Sequence, residues 1–442
     1  MVTLKDVLDA TGGRLLGKYD NLDTEIRAVG SNTRVMKRPG MMKDNEMFVA
    51  FKGDEIDGHD FISESFELGC IGCLTEREFD AYDDCKFYVL VNDTLEALWK
   101  IVALIRSRVR AQVICVTGSV GKTTTTGLIA NVLRQKYSVF ATEENYNDEF
   151  IGPEMVFQID DSHDIAVLEL GMGMHSSVSK MAKILRPNIA VLTRIGHAHI
   201  GKTGSLEATR DEKCGIEDGL GEGGFTVINI DDPMQRYYPF KHPIVTYGRY
   251  MSDAQELHHI PRYLEYAAYA AKVIGSMFRL TTDEIKNGIA TFVPESGRMD
   301  IVKKQRFTLI DSSFNASVES IEMAIDILST FNGRKIAVIG EMFEIGDYVE
   351  ELHERIGAYI KPYMVDVLIS VGEHSDCVLK AVDPRVTAFA VNAIPEAWSI
   401  LTKVILDGKG EDVILCKGSH ASGVYQIADD LRKLEDSYGE EN

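Results

Sequence analysis

The sequence predicts an α/β fold in which parallel sheets, covered by helices on both faces, are divided among three domains. Nearly continuous apolar runs recur along the chain, for example AQVICVTG at 111–118 and KIAVIGEM at 335–342. Strands that are apolar on both faces are typical of buried parallel sheets. Segments with helical spacing of apolar residues separate these runs, and this alternation favours doubly wound sheets.

Composition and charge exclude several classes of protein. The chain has 442 residues, of which 47 are basic and 68 acidic, so its net charge is −21. An acidic surface disfavours nucleic-acid binding and a polybasic membrane anchor, because phosphate groups attract Lys and Arg. No uncharged apolar run approaches the roughly 20 residues of a membrane span, and the N-terminus lacks the pattern of a secretory signal. We therefore expect a cytoplasmic monomer that acts on small molecules and is not inserted in a membrane.

Residues 1–85 are predicted to form a small N-terminal α/β domain. A short helix pattern comes first, and it is followed by the runs EMFVAFKG (46–53) and GCIGCLTE (69–76), which are typical of buried strands; a further run of this kind, KFYVLVND (86–93), follows directly after the predicted boundary. The segment 94–110 then has apolar residues at helical spacing and begins with Thr94, a residue type that often caps helices. We expect this helix to lead into the second domain.

Residues 86–296 are predicted as a central parallel-sheet domain and residues 297–442 as a C-terminal Rossmann-like domain, because strands and helices alternate in both. The strand-like runs lie at 111–118, 164–171, 188–196 and 225–232 in the central domain, and at 306–313, 335–342, 366–372, 388–391 and 412–419 in the C-terminal domain. Further helices are predicted at 262–278 and 281–291. Pro294 and Gly297 interrupt the chain between the two domains, which favours a hinge there.

The strongest motif is a glycine-rich phosphate-binding loop, or P-loop, between a strand and a helix of the central domain. The motif reads TGSVGKTT, and its candidate nucleotide-binding residues are Gly118, Ser119, Val120, Gly121, Lys122, Thr123 and Thr124. In such a loop the backbone N–H groups surround phosphates, the lysine neutralises phosphate charge and the hydroxyl after it ligates Mg²⁺. The alternative is a glycine turn with a surface lysine, which the strand–loop–helix context disfavours.

Further polar residues follow the next two predicted strands of the central domain. Glu169 stands at the end of the second strand, where a Mg²⁺ ligand beside a P-loop should lie. His197 and His199 follow the third strand, and Lys213 lies on the helix after them. A histidine at this position can ligate a second metal ion or contact phosphate, although histidine pairs are more often surface features.

The order of these motifs resembles that of the Mur ligase family. The shared motifs are TGxxGKTT, ELG, HAHIGKTGS with a lysine after it, SGRM, DSSFNAS, GEMxEIG and KGS. The N-terminal segment from AVGSNTR to GHDFI is similar to the nucleotide-sugar-binding domain of the same family. The resemblance covers about residue 3 to residue 430, and such an order over three domains is difficult to obtain by chance.

This resemblance implies ATP-dependent formation of an amide bond. A substrate carboxylate attacks the γ-phosphate of ATP, an acyl phosphate forms, and an amine then displaces phosphate, with ADP as the other product. ATP and Mg²⁺ are the implied cofactors, and the implied partners are a carboxylate and an amine, one of them a UDP-linked peptide. The first expectation is the addition of D-alanyl-D-alanine to a UDP-muramoyl-tripeptide in peptidoglycan synthesis.

The resemblance also implies roles for individual residues. Thr123 and Glu169 match ligands of a first Mg²⁺, and His199 lies near a second. Lys213 stands where the family carries a lysine carbamylated by CO₂, which converts a cation into an anionic metal ligand. Together with Lys122, these residues are the expected catalytic and metal-binding groups of the central domain.

The third domain is implied to contribute to the nucleotide site. Arg298 in SGRM matches a family arginine that contacts ATP phosphate. Asp311 matches an aspartate on the ribose, and Asn315 matches the asparagine of the DDxYNANP signature. Glu344 also matches a family position, but we expect it to belong to a surface network.

The departures from the family pattern keep other functions open. Arg194 replaces a family asparagine, and the segment HHIPRY at 258–263 lacks both asparagines that hold adenine in the family. One alternative is a Mur-like ligase of another pathway, such as that of archaeal pseudomurein or a nickel tetrapyrrole. Another is a non-catalytic nucleotide-binding homologue, and a third is a P-loop kinase or NTPase. A ligase would form ADP only when a carboxylate and an amine are both supplied.

Overall fold

The computed structural model describes residues 2–38, 40–53, 56–142, 152–173, 177–251, 260–408 and 411–434, and the structural statements below concern these residues. Three larger sheets follow one another along the chain, so the predicted α/β fold is confirmed. His258 and His259 of the altered adenine-binding segment lie outside the described residues. Within the described ranges, no helix has both the length and the apolar character needed to cross a membrane.

The N-terminal part of the chain forms a five-stranded sheet with helices packed against it. Its elements are β1 (Val2–Thr3), α1 (Leu4–Thr11), β2 (Arg14–Leu16), β3 (Glu25–Ile26), β4 (Ala28–Gly30), α2 (Thr33–Met36), β5 (Glu46–Val49), α3 (Ile62–Leu68), β6 (Gly72–Thr75), β7 (Phe87–Leu90) and α4 (Thr94–Arg108). The strand order is β2-β7-β6-β5-β4, and β1 pairs separately with β3. Only the β2–β7 pair of the larger sheet is antiparallel.

Helix α4 leads from this sheet into the next, as predicted, but Thr94 is not its cap. The carboxylate of Asp93 accepts a hydrogen bond from the backbone N–H of Glu96 at 2.7 Å, and Thr94 is the first helical residue. The Thr94 hydroxyl instead donates to the carbonyl of Ala50 at 3.0 Å. The predicted boundary after residue 85 precedes β7, which pairs with β6 in the first sheet. We therefore propose a boundary in the loop before α4.

The central part of the chain forms a six-stranded, fully parallel sheet. Its elements are β8 (Gln112–Thr117), α5 (Lys122–Leu133), β9 (Val139–Ala141), α6 (Gly152–Val156), β10 (Ile165–Glu169), α7 (Val178–Leu185), β11 (Ile189–Leu192), α8 (Ile200–Thr203), α9 (Leu206–Cys214), β12 (Phe225–Asn229), α10 (Pro233–Arg236), β13 (Ile244–Tyr247), α11 (Glu265–Met277) and α12 (Thr282–Ala290). The strand order is β13-β12-β11-β8-β10-β9. The outermost strands, β9 and β13, were not predicted.

The last part of the chain forms a second six-stranded sheet. Its elements are β14 (Asp300–Lys303), β15 (Phe307–Ser312), α13 (Val318–Ser329), β16 (Arg334–Gly340), α14 (Val349–Tyr359), β17 (Val367–Val371), α15 (Ser375–Ala381), β18 (Thr387–Val391), α16 (Ile394–Leu406), β19 (Asp412–Lys417) and α17 (Val424–Lys433). The strand order is β14-β15-β19-β16-β17-β18, and all pairs are parallel except β14–β15. Apolar clusters lie on both faces of this sheet, as expected for a doubly wound fold.

The parallel strands bring their carboxyl ends to one edge of the central sheet. β8 lies between β10 and β11. The register places Glu169 beside Val116 and Leu192 beside Thr117. The P-loop, Glu169 and the segment that follows β11 therefore start from the same edge, which is where open α/β sheets bind ligands.

Candidate active site

The P-loop lies between β8 and α5, and its conformation requires two glycines. Gly118 has φ 149° and Gly121 has φ 83°, backbone conformations that L side chains disfavour. A Cβ at Gly118 would also collide with the hydroxyl of Thr193 on the neighbouring strand end. The backbone conformation therefore requires glycine at these two positions, and this requirement does not depend on any ligand.

Two amides of the P-loop anchor it to the segment after β11. The backbone N–H groups of Ser119 and Val120 donate to the carbonyl of Arg194 at 2.7 and 3.2 Å, and the Ser119 hydroxyl donates to the carbonyl of Gly196 at 3.0 Å. Binding of phosphate by these two amides stays a prediction, since they would first have to leave Arg194. The amides in the first turn of α5 have no acceptor within the helix, and a helix N-terminus attracts phosphate.

Lys122, at the start of α5, lies in an environment of mixed charge. Removal from water lowers the pKa of its ammonium, Glu169 opposes this by favouring the charged form, and Arg298 lowers the pKa further. Glu169 is only 3 % exposed, and its backbone N–H donates to the hydroxyl of Thr142 at 3.1 Å. Glu169 and Arg298 therefore both act electrostatically on Lys122, although Arg298 belongs to the third domain.

Lys213 lies near the end of α9. Its side chain is fully buried, and its Nζ has no hydrogen-bond partner among the described residues. Burial, assisted by the charge of Lys122, lowers its pKa to about 7, while Glu212 and Glu169 oppose the shift. A large fraction of this amine is therefore uncharged at neutral pH, and an uncharged amine is the form that reacts with CO₂.

The chemistry of these side chains fits Mg²⁺ bound together with a nucleotide. Within the described residues, no three His, Cys, Asp or Glu side chains converge to hold a metal ion by themselves. Mg²⁺ is commonly held by one or two carboxylates together with substrate phosphates and water. Thr123, Glu169 and a carbamate on the unpartnered Nζ of Lys213 would supply such ligands, so these residues are compatible with the predicted ion.

His197 contacts the third domain. Its Nδ1 lies 2.5 Å from a carboxylate oxygen of Glu319, and its backbone N–H donates to the same carboxylate at 3.2 Å. Glu319 is 4 % exposed and lies in the first turn of α13. Burial alone would raise the pKa of Glu319, but the hydrogen bonds, those from His197 foremost, lower it. His197 is therefore a contact between domains in this structure.

His199 contacts a second carboxylate of the third domain. Its Nδ1 lies 2.5 Å from one carboxylate oxygen of Glu344, and the other oxygen of that carboxylate lies 3.3 Å from Nζ of Lys202. The close contact with His199 lowers the pKa of Glu344 to about 2. The expectation that Glu344 belongs to a surface network therefore missed its main partner, which is a predicted site residue of the central domain.

The backbones of the two domains approach closely around α8. The N–H of Gly201 donates to the carbonyl of Glu344 at 3.0 Å, and the hydroxyl of Tyr348 donates to the carbonyl of Gly204 at 2.8 Å. A Cβ at Gly201 would lie 2.6 Å from the backbone nitrogen of Gly346 and 2.8 Å from the carbonyl oxygen of Glu344. Backbone atoms cannot rotate away, so only glycine allows this approach.

We expect Gly201→Ala to separate the central and third domains in solution, because its Cβ would overlap backbone atoms of the third domain. Small-angle X-ray scattering should show a larger radius of gyration than for the unchanged protein. Gly221→Ala is the control, since a Cβ there meets nothing within 4 Å. Superimposable scattering curves for Gly201→Ala and the unchanged protein would contradict the prediction.

Arg298 lies at the junction of the central and third domains. Its Nε is 3.2 Å from a carboxylate oxygen of Glu295, and its guanidinium lies 4.2 Å from the centre of the Phe314 ring. A cavity of about 400 Å³ is bordered by Arg298, Glu295, residues 291–293 and the face of α5 that begins at Thr123. The structure therefore places Arg298 on the same cavity as the P-loop helix, and its contact with ATP phosphate stays a prediction.

Asp311 and Asn315 are engaged within the third domain. The carboxylate of Asp311 accepts hydrogen bonds from the hydroxyl of Ser313 at 2.6 Å and from Arg432 at 2.8 Å. The side-chain oxygen of Asn315 accepts the backbone N–H of Ala316 at 2.8 Å. Contact of these two residues with a nucleotide stays a prediction, because Asp311 already has protein partners on both carboxylate oxygens.

Lys417 of the KGS motif holds the loop that contains Asn315. Its Nζ donates to the backbone carbonyls of Ser312 and Asn315. Burial, together with the charge of Arg298, lowers the pKa of Lys417 to about 7. The motif therefore contributes a buried lysine whose hydrogen bonds hold the loop after β15 in place.

Sequence analysis missed several residues that organise the site. Glu319, Arg432 and the role of Lys417 carried no signal in spacing or periodicity, because each acts on a residue far away in the chain. Glu319 is the acidic residue in the first turn of α13, and this position does not point to His197.

Comparison with known proteins gives the same architecture. Residues 116–262 match the Mur ligase middle domain, and residues 297–420 match the Mur ligase glutamate ligase domain. A UDP-N-acetylmuramoyl-tripeptide–D-alanyl-D-alanine ligase of Synechocystis sp. is 30% identical, over 92% of this chain and 92% of that protein. The Bacillus subtilis protein of the same name is 28% identical, over 97% of this chain and 98% of that protein.

Solved structures show the same fold at low sequence identity. The crystal structure of MurF from Acinetobacter baumannii has a TM-score of 0.84 and 23% identity, with 98% of this chain and 99% of that chain covered. MurF ligase from Thermotoga maritima in complex with ADP has a TM-score of 0.76 and 24% identity, with 92% and 97% covered. These likenesses extend over all three sheets.

Proposed function

The chain belongs to the Mur ligase family, and from this membership we propose that it is an ATP-dependent ligase that joins D-alanyl-D-alanine to a UDP-N-acetylmuramoyl-tripeptide. Relatives that match over nearly their full length carry the name of this activity. The proposal places the protein in the synthesis of peptidoglycan precursors. A cytoplasmic location and a monomeric state stay predictions from the sequence.

The observation that best supports a ligase is the buried amine of Lys213. A fully buried lysine without a hydrogen-bond partner is costly, and here it lies in the field of Lys122 and Glu169. Carbamylation would convert the amine of Lys213 into an anion. An anion that ligates a metal ion would compensate for the free-energy cost of burying this side chain. A nucleotide switch without amide-forming chemistry would have no evident use for such a group.

The proposed reaction has two steps. A carboxylate oxygen of the peptide attacks the γ-phosphorus of ATP, the bond to the β–γ bridging oxygen breaks, and ADP leaves. The amine nitrogen of D-alanyl-D-alanine then attacks the acyl carbon, phosphate leaves with the electrons of the acyl C–O bond, and the nitrogen loses a proton to form the amide.

The residues of the central domain would stabilise the charge that builds up in the first step. Lys122 lies at the N-terminus of α5, which would face the phosphates of bound ATP, and its ammonium would neutralise the equatorial oxygens of the γ-phosphate. Mg²⁺, held by Thr123, Glu169 and carbamylated Lys213, would supply further positive charge to the same oxygens. The third domain would add the guanidinium of Arg298 and exclude water from the acyl phosphate.

We expect Arg298→Ala to lower kcat by at least about tenfold, because it removes one cation from the phosphoryl-transfer step. The KM for the UDP-linked peptide should change by less than about twofold, because we propose that this substrate binds to the first domain. Arg134→Ala is the control, since Arg134 borders the same cavity at the far end of α5. Unchanged kcat in Arg298→Ala would remove this residue from the catalytic set.

The proposal is tested by measuring ADP and phosphate with purified protein, Mg²⁺-ATP, UDP-muramoyl-tripeptide and D-alanyl-D-alanine. We expect ADP only when both co-substrates are present, together with a product whose mass equals the sum of the two less water. ADP without either co-substrate would instead indicate an NTPase. ADP with another carboxylate–amine pair only would indicate a Mur-like ligase of another pathway, and no ADP with any pair would indicate a non-catalytic homologue.

A further inference from the structure

The guanidinium of Arg298 is held by protein groups at its face and at one of its nitrogens. Its Cζ lies over the ring of Phe314, 4.2 Å from the ring centre. Its Nε donates to a carboxylate oxygen of Glu295 at 3.2 Å. The two terminal nitrogens, Nη1 and Nη2, have no hydrogen-bond partner among the residues that the structure describes.

These contacts leave one edge of the guanidinium for a ligand. A guanidinium binds phosphate through pairs of parallel N–H groups, and the edge formed by Nη1 and Nη2 offers such a pair. Arg298 borders the same cavity as Thr123 at the start of α5, and its charge acts on Lys122. The unoccupied edge therefore belongs to a cation that already lies at the proposed nucleotide site.

The ring of Phe314 is fixed by its own loop rather than by Arg298. The backbone N–H of Phe314 donates to the carbonyl of Gly297 at 3.2 Å, which ties the ring to the residue before Arg298. Lys417 donates to the backbone carbonyls of Ser312 and Asn315, which lie on either side of Phe314 in the chain. The loop after β15 therefore sets the position of the ring.

A second pair of rings supports Phe314 from the end of β19. The ring of His420 lies edge-to-face with Phe314, with 6.4 Å between the ring centres. The other neighbour of His420 is Tyr425, which stacks on it with ring centres 4.4 Å apart and an angle of 15° between the rings. Phe314 is therefore the member of this aromatic row that contacts Arg298.

We propose that Phe314 is a positioning residue whose ring holds the guanidinium of Arg298 so that Nη1 and Nη2 stay available to the γ-phosphate. This inference rests on the proposed function, because it assumes that Arg298 serves phosphoryl transfer. The physical gain is preorganisation, since a long side chain that is already held loses less conformational freedom when charge develops on the phosphate. An aromatic face attracts a cation, whereas an aliphatic side chain of similar size does not.

The test compares Phe314→Leu and Phe314→Tyr in the full-length protein. Phe314→Leu removes the aromatic face and keeps an apolar side chain, whereas Phe314→Tyr keeps the face. Phe331→Leu is the control for the loss of a partly buried ring, since Phe331 packs against the apolar cluster of the third domain. Each change is also made together with Arg298→Ala, which gives a double-mutant cycle.

We expect Phe314→Leu to lower kcat by about threefold to tenfold, the effect of losing one cation–π contact. The KM for the UDP-linked peptide should change by less than about twofold, and Phe314→Tyr and Phe331→Leu should keep kcat within about twofold. In the Arg298→Ala protein, Phe314→Leu should lower kcat by less than about twofold, because the contact is already absent. An unchanged or raised kcat in Phe314→Leu, or an equal fractional loss with and without Arg298, would overturn the proposal.

Nuclear magnetic resonance of the Arg298 Nε–H gives a readout that does not depend on activity. The signal is assigned by its loss in Arg298→Ala. The ring current of Phe314 shifts this signal, so Phe314→Leu should move it and Phe314→Tyr should leave it close to its place in the unchanged protein. A signal that stays in place in Phe314→Leu would show that the ring does not hold the guanidinium.

The two readouts also separate this inference from the proposed function. The signal is measured without substrates, so it reports on the contact between Phe314 and Arg298 even if the unchanged protein forms no amide bond. Conversely, ligase activity of the unchanged protein together with an unchanged kcat in Phe314→Leu would preserve the proposed function and refute only the positioning role.

Discussion

Lys122→Ala should lower ligase turnover by about a thousandfold or more while the fold stays intact. The ammonium of Lys122 lies at the N-terminus of α5 in the electrostatic field of Glu169 and Arg298, and there it would neutralise charge that develops on the γ-phosphate. Removing one preorganised electrostatic contact of this kind typically costs a factor of about 100 to 1,000, and phosphoryl transfer depends almost entirely on such contacts. The measurement is the steady-state rate of ADP release with both co-substrates at saturation.

Lys136→Ala is the matched control for Lys122→Ala. Lys136 follows the C-terminal end of the same helix. Its exposed Nζ donates to the carbonyl of Arg279 at 2.8 Å, and Arg279 is far from the P-loop in sequence. Circular dichroism and the thermal midpoint should stay close to those of the unchanged protein in both variants. Turnover of Lys122→Ala within a few-fold of the unchanged protein would contradict the assignment of the P-loop as the phosphate site.

The second large effect is expected at Lys213. Lys213→Ala should abolish most of the activity, because it removes the amine that CO₂ would convert into an anionic ligand. Added short carboxylates such as acetate should restore part of the activity, because they can occupy the space of the carbamate. Lys213→Arg should stay inactive and should not respond to acetate, since its guanidinium cannot form a carbamate. Full activity of Lys213→Arg would refute the carbamate.

The lowered pKa of Lys213 gives this prediction a pH dependence. The amine has a pKa of about 7 in the folded protein against an ordinary value of 10.5. The reactive, uncharged fraction of the amine therefore falls as the pH drops below about 7. If CO₂ is removed and then added back, activity should recover more slowly at acidic pH. Recovery that is independent of pH between 6 and 8 (roughly one unit on either side of this pKa) would contradict the role of the free amine.

Stability provides a readout of Lys213 that does not require substrates. Because burial lowers the folded-state pKa, the unfolded chain binds more protons between about pH 7 and 10.5, and stability should rise with pH across this window. Below the window the full cost of burying an ammonium is present. Lys213→Met should therefore raise the thermal midpoint of metal-free protein most at pH 6 and less as the pH increases. A midpoint that falls in Lys213→Met would show that the buried amine has stabilising partners.

The catalytic framework of the central domain could be predicted from local sequence patterns. The P-loop has fixed spacing because a strand, a tight turn and a helix must follow one another, and Gly118 and Gly121 have the positive φ values that such a turn demands. The interior strands were found because both of their faces are buried. The strands β9, β13 and β14 were missed because each is an outermost strand with partly exposed residues, so no continuous apolar run marks it.

The sequence alone determined which chemistry-bearing residues this chain has and that Lys122, Thr123 and Glu169 start from neighbouring strand ends, because local backbone geometry and parallel pairing are encoded over short distances. Only the tertiary structure decided that His197 and His199 meet Glu319 and Glu344 of another domain, and that Lys213 is buried with no hydrogen-bond partner in the part of the chain that the structure describes. The physical reason is that docking of surfaces separated by more than a hundred residues depends on shape and burial. The fit between two domain surfaces leaves no periodic pattern in the sequence. That fit nevertheless sets the ionisation and the orientation of the side chains at the boundary.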